Sequence, residues 1–338
     1  MASPTIRDVA RQAGVGVGTV SRVLNDSPSV SQATRRKVLS AIQELNFTPN
    51  PFARRLSLGQ AMTIGVIVPF FTRPAFVERL RGIEYALVNS DYDLVLYNVE
   101  TVERRNAYFR QAPRRERVDG LLIMALSPTD EDAQRFIASG VPTLLVDAFH
   151  PHLNCIMIDD VTGGYAATQH LISLGHQRIA YISDFVNNPF DFTASRRRYE
   201  GYRQALADAG IPYNPAYHQQ GDHGRAQAQE MAERLLTLPV PPTAIFAASD
   251  TQAIGVMQAA ESVGCRVPED LSIIGYDDIE IAEYLNLTTI RQPLFMTGVE
   301  GVHLLLSIIE QPPLTPIHIQ LATELVARGT TSRPGMHA

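Results

Sequence analysis

The chain changes its hydrophobic rhythm once, near residue 62. Before that point apolar residues recur three and four positions apart, the helical period. Ile6, Val9, Ala10 and Ala13 form one stripe, with Thr5 as its N-cap and Gly14 at its end. Val20, Val23 and Leu24 form a second over about Val17 to Leu24. Val38, Leu39, Ile42 and Leu45 form a third, capped by Ser31 and reaching about Asn46. Asn25-Asp26-Ser27-Pro28 is turn chemistry between the second and third. This predicts an all-α three-helix head. After it, apolar runs of strand length at 62–70, 93–99, 118–126, 141–147, 178–183, 243–249 and 271–277 alternate with helical stretches. The latter fall at 75–89, 161–174, 196–209, 223–237, 251–263 and 295–310. Unbroken apolar strands belong to parallel sheets covered on both faces. About 270 residues of such βα units exceed one sheet, so the pattern predicts an α/β core of two doubly wound parallel-sheet subdomains. Ligands of such sheets bind beyond the carboxyl ends of the strands.

Charge divides the chain at the same place. Residues 1–60 hold eight basic side chains against three acidic, whereas the remainder holds 21 against 32. A basic head on an acidic body points to a polyanion for the head and another task for the body. Lys37 is the only lysine, which excludes P-loop, Schiff-base and lysine general-base chemistry from the body. The sequence has no G-x-S-x-G, H-E-x-x-H or EF-hand loop, and its nine histidines lack ligand spacing. No enzyme activity and no cofactor are therefore expected. His150-Pro151-His152 reads either as a metal pair or as a plain surface loop. No apolar run approaches the roughly 18 residues of a membrane helix. The start MASPTIRDVARQAG shows no signal region, and Cys155 and Cys265 form no framework, which together fit a reduced, cytoplasmic protein.

Two segments carry specific chemistry. Residues 5–25, TIRDVARQAGVGVGTVSRVLN, read as helix, tight turn, helix. A DNA-binding helix-turn-helix needs a turn like the one at Gly14 to bring its second helix into the major groove. Val17, Thr19, Ser21 and Arg22 lie on that helix's outer side; hydroxyls suit phosphates and a guanidinium suits guanine N7 and O6. A generic helical hairpin is the bland alternative. GVGVG resembles a nucleotide loop, but it follows a helix and lacks the G-x-G-x-x-G spacing. Residues 47–58, FTPNPFARRLSL, place Asn50 and Pro51 at the start of one or two helical turns. Two arginines and then Leu56 suit a minor-groove element with an apolar wedge; an ordinary interdomain linker is the alternative.

With T-I-x-D-V-A-x-x-A-G-V, then T19-V-S-R-V-L-N25, N46-F-T-P-N50 and A53-R-R-L56, the chain resembles the lactose/galactose repressor family. The body matches through IGVIVP (64–69), LRGIE (80–84), RVDGLLI (117–123), GHQRIAYI (175–182), RxxGYRxAL (198–206), FAASD (246–250), VPEDLSIIGYDD (267–278) and TTIRQP (288–293). The resemblance implies a DNA-binding head at 1–48, a hinge helix and linker at 49–61, and a core at 62–338 whose two subdomains resemble periplasmic sugar-binding proteins. Their expected extents are about 62–160 plus 292–320, and about 161–291 plus 321–332. It implies a homodimer on a palindromic double-stranded DNA operator, with a small-molecule effector, a sugar or oligosaccharide, in the core cleft. Val17, Gly18 and Arg22 fall at base-reading positions and Leu56 at the wedge. Thr5, Thr19, Ser21, Asn25, Ser31, Asn50, Ala53 and Arg54 are further DNA-contact candidates. Gly16 stands where the family usually has serine or threonine, and Gly18 replaces a longer side chain, so base reading rests more on Val17 and Arg22. A solute-binding transport protein and a sugar-converting α/β enzyme are the other classes. The first should lack residues 1–60, and the second should show a catalytic base.

In the core, Asp147, Ser249, Asp250 and Asp277 end strands and Arg198 opens a helix, giving carboxylates and a guanidinium for sugar hydroxyls. The resemblance puts effector contacts at Asp277 and Arg198. Asp250 has a second reading, as a cap of the helix at 251. His223 falls where relatives carry an aromatic stacking residue; Phe149, Phe190 or Phe192 would then supply that face, or His223 is a solvated helix start. Phe70, Phe71, Arg73 and Phe76 follow the first core strand and are expected to line the cleft, with plain core as the alternative.

Overall fold

The computed structural model describes residues 4–24, 27–47 and 60–335, and the chain divides into two units, 1–61 and 62–338. In the first, α1 (Ile6–Ala13), α2 (Val17–Leu24) and α3 (Gln32–Glu44) enclose Val9, Ala10, Val20, Val23, Val38 and Ala41. The Asp8 carboxylate takes both the Thr5 N–H (2.9 Å) and the Thr5 hydroxyl (2.7 Å), fastening the start of α1. Gly14 ends it at φ +65°, a conformation that favours glycine. The Ser31 hydroxyl accepts the Thr34 N–H at 3.3 Å to open α3.

In the second unit strands and helices alternate. The first sheet is built from β1 (Thr63–Pro69), β2 (Asp93–Val99), β3 (Gly120–Met124), β4 (Thr143–Val146) and β5 (Asn154–Ile158), with β11 (His318–Leu321) added from the end of the chain. Its order is β11-β5-β4-β3-β1-β2, all parallel. The second uses β6 (Ile179–Asp184), β7 (His218–Gly221), β8 (Ala244–Ala247), β9 (Ser272–Asp277) and β10 (Thr288–Arg291), in the order β12-β10-β9-β8-β6-β7. The edge strand β12 (Glu324–Val326) is antiparallel to β10, a departure from the all-parallel expectation. Both sheets repeat the 2-1-3-4-5 winding, whose switch point lies beside the first strand.

Of the four helices on the first-subdomain side, those that bear on the cleft are α4 (Pro74–Leu87), which follows β1, and α12 (Leu294–Glu310), which returns to pack on it. On the other side α7 (Asp160–Ser173) packs on α8 (Ala194–Asp208), and α10 (Asp250–Ser262) follows β8. The remaining helices are α5 (Val102–Gln111), α6 (Asp130–Ser139), α9 (Arg225–Leu236) and the short α11 (Glu280–Tyr284). The chain passes between the subdomains after β5, after β10 and after β11.

Periodicity missed β5, β7, β10, β11, β12, α5, α6 and α11. β7 reads His-Gln-Gln-Gly and is half-buried at a sheet edge, so it carries no apolar run. β11 and β12 are edge strands of four and three residues with mixed burial.

Candidate functional site

A cavity of about 90 Å³ lies between the carboxyl ends of the two sheets. Its walls come from the segments after β1, β3 and β4 on one side and after β6, β8 and β9 on the other. The backbone itself marks this place. Ala125 (φ +53°), Asp147 (φ +58°) and Asp277 (φ +114°) line the cavity with left-handed backbone although none is glycine, and Phe70 beside them has φ +42°. Each such residue costs on the order of 1–3 kcal/mol, and this strain clusters at ligand sites.

On the second-subdomain wall, α7 and α8 meet at backbone contact because Gly164 faces the Arg198 backbone and Gly201 faces that of Val161. The approach presses Arg198 against Asp160 at the start of α7. Arg198 Nε donates to Asp160 Oδ1 at 2.8 Å and Nη1 to the Ala248 carbonyl at 2.6 Å, with Asp277 Oδ1 at 3.7 Å. Its guanidinium lies 3.7 Å above the Tyr276 ring. Burial opposes its charge, yet Asp160, Tyr276 and Asp277 hold it far above the ordinary arginine range. Burial raises the Asp160 carboxyl against the pull of Arg198. Asp184, at the end of β6, accepts hydrogen bonds from His223 Nδ1 and Gln252 Nε2, both at 3.0 Å. Burial works against its ionisation, but the His223 bond together with the Arg73 and Arg198 charges keeps it below the usual carboxylate range.

On the first-subdomain wall, Arg79 of α4 reaches Asp147 Oδ2 at 2.8 Å. The same Nη2 donates to Gln292 Oε1 at 3.0 Å, and Gln292 Nε2 donates to Asp277 Oδ1 at 2.6 Å. A polar chain thus crosses the cleft floor through Gln292, on the crossing segment after β10. Burial pushes the Asp277 carboxyl up to about 6, against Arg198, Arg79 and Gln292, which favour its charge. Arg73 lies 4.2 Å from the Phe70 ring; burial lowers its pKa, partly offset by Asp184.

Of the expected cleft residues, Arg73, Phe76, Asp147, Arg198, His223, Ser249 and Asp277 come together here. Four do not. Asp250 is wholly buried behind the wall, accepting the Ile279 N–H (2.9 Å) and the Thr289 hydroxyl (2.6 Å). It braces α10 to β10 and is not the cap either, because Ser249 accepts the Gln252 N–H at 3.2 Å. Phe149 is exposed and packs on His318. Phe71 is also exposed, its N–H donating to Asn98. Phe190 stacks behind Phe192, which supplies the aromatic wall in its place. His223 is a hydrogen-bond donor to Asp184 rather than a solvated helix start. Sequence reasoning missed Arg79, Asp184, Gln252 and Gln292. Asp184 ends a strand as Asp277 does and was within reach of the same rule. The sign for Arg79 was an arginine on the inward stripe of Phe76, Ile83 and Leu87.

His150 bonds Asp130 at 3.1 Å and accepts the His152 N–H at 3.2 Å, so the His-Pro-His loop ties down a local turn. Among the described residues no group of three His, Cys, Asp or Glu could hold a metal, and no helix is long and apolar enough to cross a membrane.

In the head, Val17, Gly18 and Arg22 are exposed along one face of α2, while Val20 and Val23 face the core. Thr19 and Ser21 flank that face half-buried; Thr5 and Ser31 are exposed at the helix starts. Gly16 and Gly18 have open space where a side chain would go, so nothing within the head demands glycine there. Asn25, Asn50, Ala53, Arg54 and Leu56 lie outside the described residues.

An exposed helix-turn-helix face on one unit and a strand-end cleft on the other define a DNA-binding regulator with a ligand-binding core. Residues 5–50 match the bacterial regulatory proteins of the lacI family, and residues 168–331 match a periplasmic binding protein-like domain. The chain is 39% identical over 333 residues to the ribose operon repressor of Escherichia coli (strain K12), covering 96% of this chain and 99% of that protein. The lac repressor dimer bound to operator and the anti-inducer ONPF superposes with a TM-score of 0.86 at 31% identity, covering 98% of this chain and all of that one. A lacI-family regulator from Enterococcus faecium with bound ribose gives a TM-score of 0.72 at 32% identity, over 80% of this chain and 99% of that one. The chain belongs to the lacI family of bacterial regulatory proteins; it is a transcription regulator, not an enzyme.

Proposed function

We propose that this regulator represses transcription from a palindromic operator as a homodimer, and that its effector is a small neutral sugar of about pentose size. The observation that carries the effector class is the matching of charges in the cleft. Arg73, Arg79 and Arg198 line it together with Asp147, Asp184 and Asp277. Arg79 is paired with Asp147 and Arg198 with Asp160 and Asp277, while Arg73 forms no ion pair among the described residues and lies in the field of Asp184. Phosphate recognition needs an excess of positive charge, whereas hydroxyls use donors and acceptors placed side by side. The 90 Å³ cavity falls well below the roughly 300–1,000 Å³ of sites for drug-sized ligands, which favours one ring over an oligosaccharide. The ribose named for one relative and bound in another agrees with this size. On the DNA side, α2 enters a major-groove half-site with Arg22 and Val17 reading bases, Thr5, Thr19, Ser21 and Ser31 holding phosphates, and the segment around Leu56 opening the central minor groove.

A thermal-shift screen of pentoses, hexoses, disaccharides, phosphosugars and nucleobases tests the effector class. The effector at 100 times its dissociation constant should stabilise the core by about 2.7 kcal/mol. A response confined to phosphosugars or nucleobases overturns it.

A further inference from the structure

Arg79, like Arg198 on the opposite wall, is a buried helical arginine of the cleft. It rises from the middle of a helix rather than from a strand end, and it is 2% exposed. Its backbone is held where α4 and α12 cross, because Gly298 faces the Arg79 carbonyl and Gly82 faces that of Phe295. Both of its protein partners, Asp147 and Gln292, are reached by the single atom Nη2. Nε is buried without an acceptor, and neither of these contacts with described residues runs through Nη1. A buried guanidinium has five N–H donors in a rigid fork, so most of this fork is uncommitted although the residue lines the cavity. Buried donors left without partners are rare in folded proteins, and each calls for an explanation.

We propose that Arg79 is a specificity-determining residue: its uncommitted donors take an acceptor oxygen of the sugar from the first-subdomain side, opposite Arg198. The inference rests on the reading of the cleft as a sugar site. A rigid fork fixed at both Asp147 and Gln292 donates to an oxygen only in one direction, so it distinguishes epimers that differ in the orientation of one hydroxyl. It also links that choice to the second subdomain, since Gln292 passes the contact on to Asp277. Arg79 therefore reads the stereochemistry of one ring carbon rather than merely filling space beneath it.

The test uses Arg79→Lys, which keeps the positive charge for Asp147 but removes the fork. Dissociation constants for D-ribose, D-arabinose, D-xylose and D-lyxose are measured by calorimetry on the full-length wild type and variant. Loss of such a buried bond should weaken the preferred pentose on the order of 10- to 100-fold. The weaker epimers should change far less, so that the preference between them collapses. A purely structural role would weaken all four by one factor, and that result, or wild-type preference in the variant, overturns the inference. Arg79→Gln, which keeps a donor for Asp147, carries the same comparison if the lysine variant does not fold. If the wild type itself binds none of the four sugars, the reading of the cleft falls, and this inference falls with it. Binding by the wild type with unchanged preference in the variant removes the inference alone.

Discussion

Replacing Arg198 by methionine should show what holds the second-subdomain wall together. Methionine keeps an unbranched side chain of similar length above the Tyr276 ring. It removes the partner of Asp160 at 2.8 Å and of Asp277 at 3.7 Å, both more than nine-tenths buried. Removing one member of a buried ion pair costs about 3–5 kcal/mol, because the remaining charge has no compensation. The acidic groups respond by taking up protons. In the wild type the Asp277 carboxyl already stands at about 6 and Asp160 is raised as well, chiefly by burial. Unfolded aspartate titrates near 3.9, so the folded state binds more protons than the unfolded state between about pH 4 and 6. Their contribution is fully present below the unfolded value and is lost as pH rises through the folded value. Without Arg198 both folded values move further up. The cost of the substitution should therefore be largest near pH 8 and shrink toward about pH 5. Urea denaturation of wild type and variant across this range measures it directly. A cost below about 1 kcal/mol at pH 8, or one that does not change with pH, refutes the pairing.

Other predictions concern recognition. Arg22→Ala should cost about 1–3 kcal/mol on the specific operator and relax discrimination at one base pair; equal losses on operator and random DNA would make Arg22 a phosphate contact. Leu56→Ala should reduce operator bending and specific affinity while leaving random-duplex binding and sugar binding intact, as read by a gel bending assay; unchanged bending makes residues 50–57 a tether. Asp277→Asn should abolish the effector-dependent change in operator affinity and leave effector-free operator binding in place, which a titration with and without the sugar checks. If the effector hydrogen-bonds the ionised Asp277, its affinity should fall as pH drops through about 6, the raised value of that carboxyl.

The head was legible because its information is local. Thr5, Gly14 and Ser31 each act on a helix end within four residues, and the stripes of Val9, Val20 and Val38 face a core that the three helices complete among themselves. The cleft was legible only at strand ends. Asp147 and Asp277 follow apolar runs, so the rule about carboxyl ends of strands reaches them. It reached Asp250 too, wrongly, because sequence does not tell which side of a helix start faces the ligand. Asp250 turns inward to Thr289 and the Ile279 N–H. Arg79 and Gln292 lie 213 residues apart and meet only when α12 returns to pack on α4. No local pattern encodes that meeting. The phenylalanines failed for a related reason. Phe71, Phe149, Phe190 and Phe192 are equivalent as apolar residues, and only the turn at 188–192, tied by the Asn188 side chain to the Phe190 and Phe192 N–H groups, brings Phe192 to the wall.

The chain across the floor also bears on how an effector could act at all. A ligand shifts an equilibrium between two arrangements only by its difference in affinity for them. A sugar touching one wall has no such difference. Here Arg79 and Asp147 belong to the first subdomain, Arg198, Asp160 and Asp277 to the second, and Gln292 joins them on a segment that passes from one to the other. Any rotation of one sheet against the other must change the Arg79–Gln292–Asp277 distances, which are at hydrogen-bond length in this arrangement. A sugar hydroxyl that bonds Asp277 competes with Gln292 or adds to it, and its binding energy then depends on the angle between the sheets. Linkage makes the dependence reciprocal, so operator DNA that favours one angle must alter sugar affinity by the same factor.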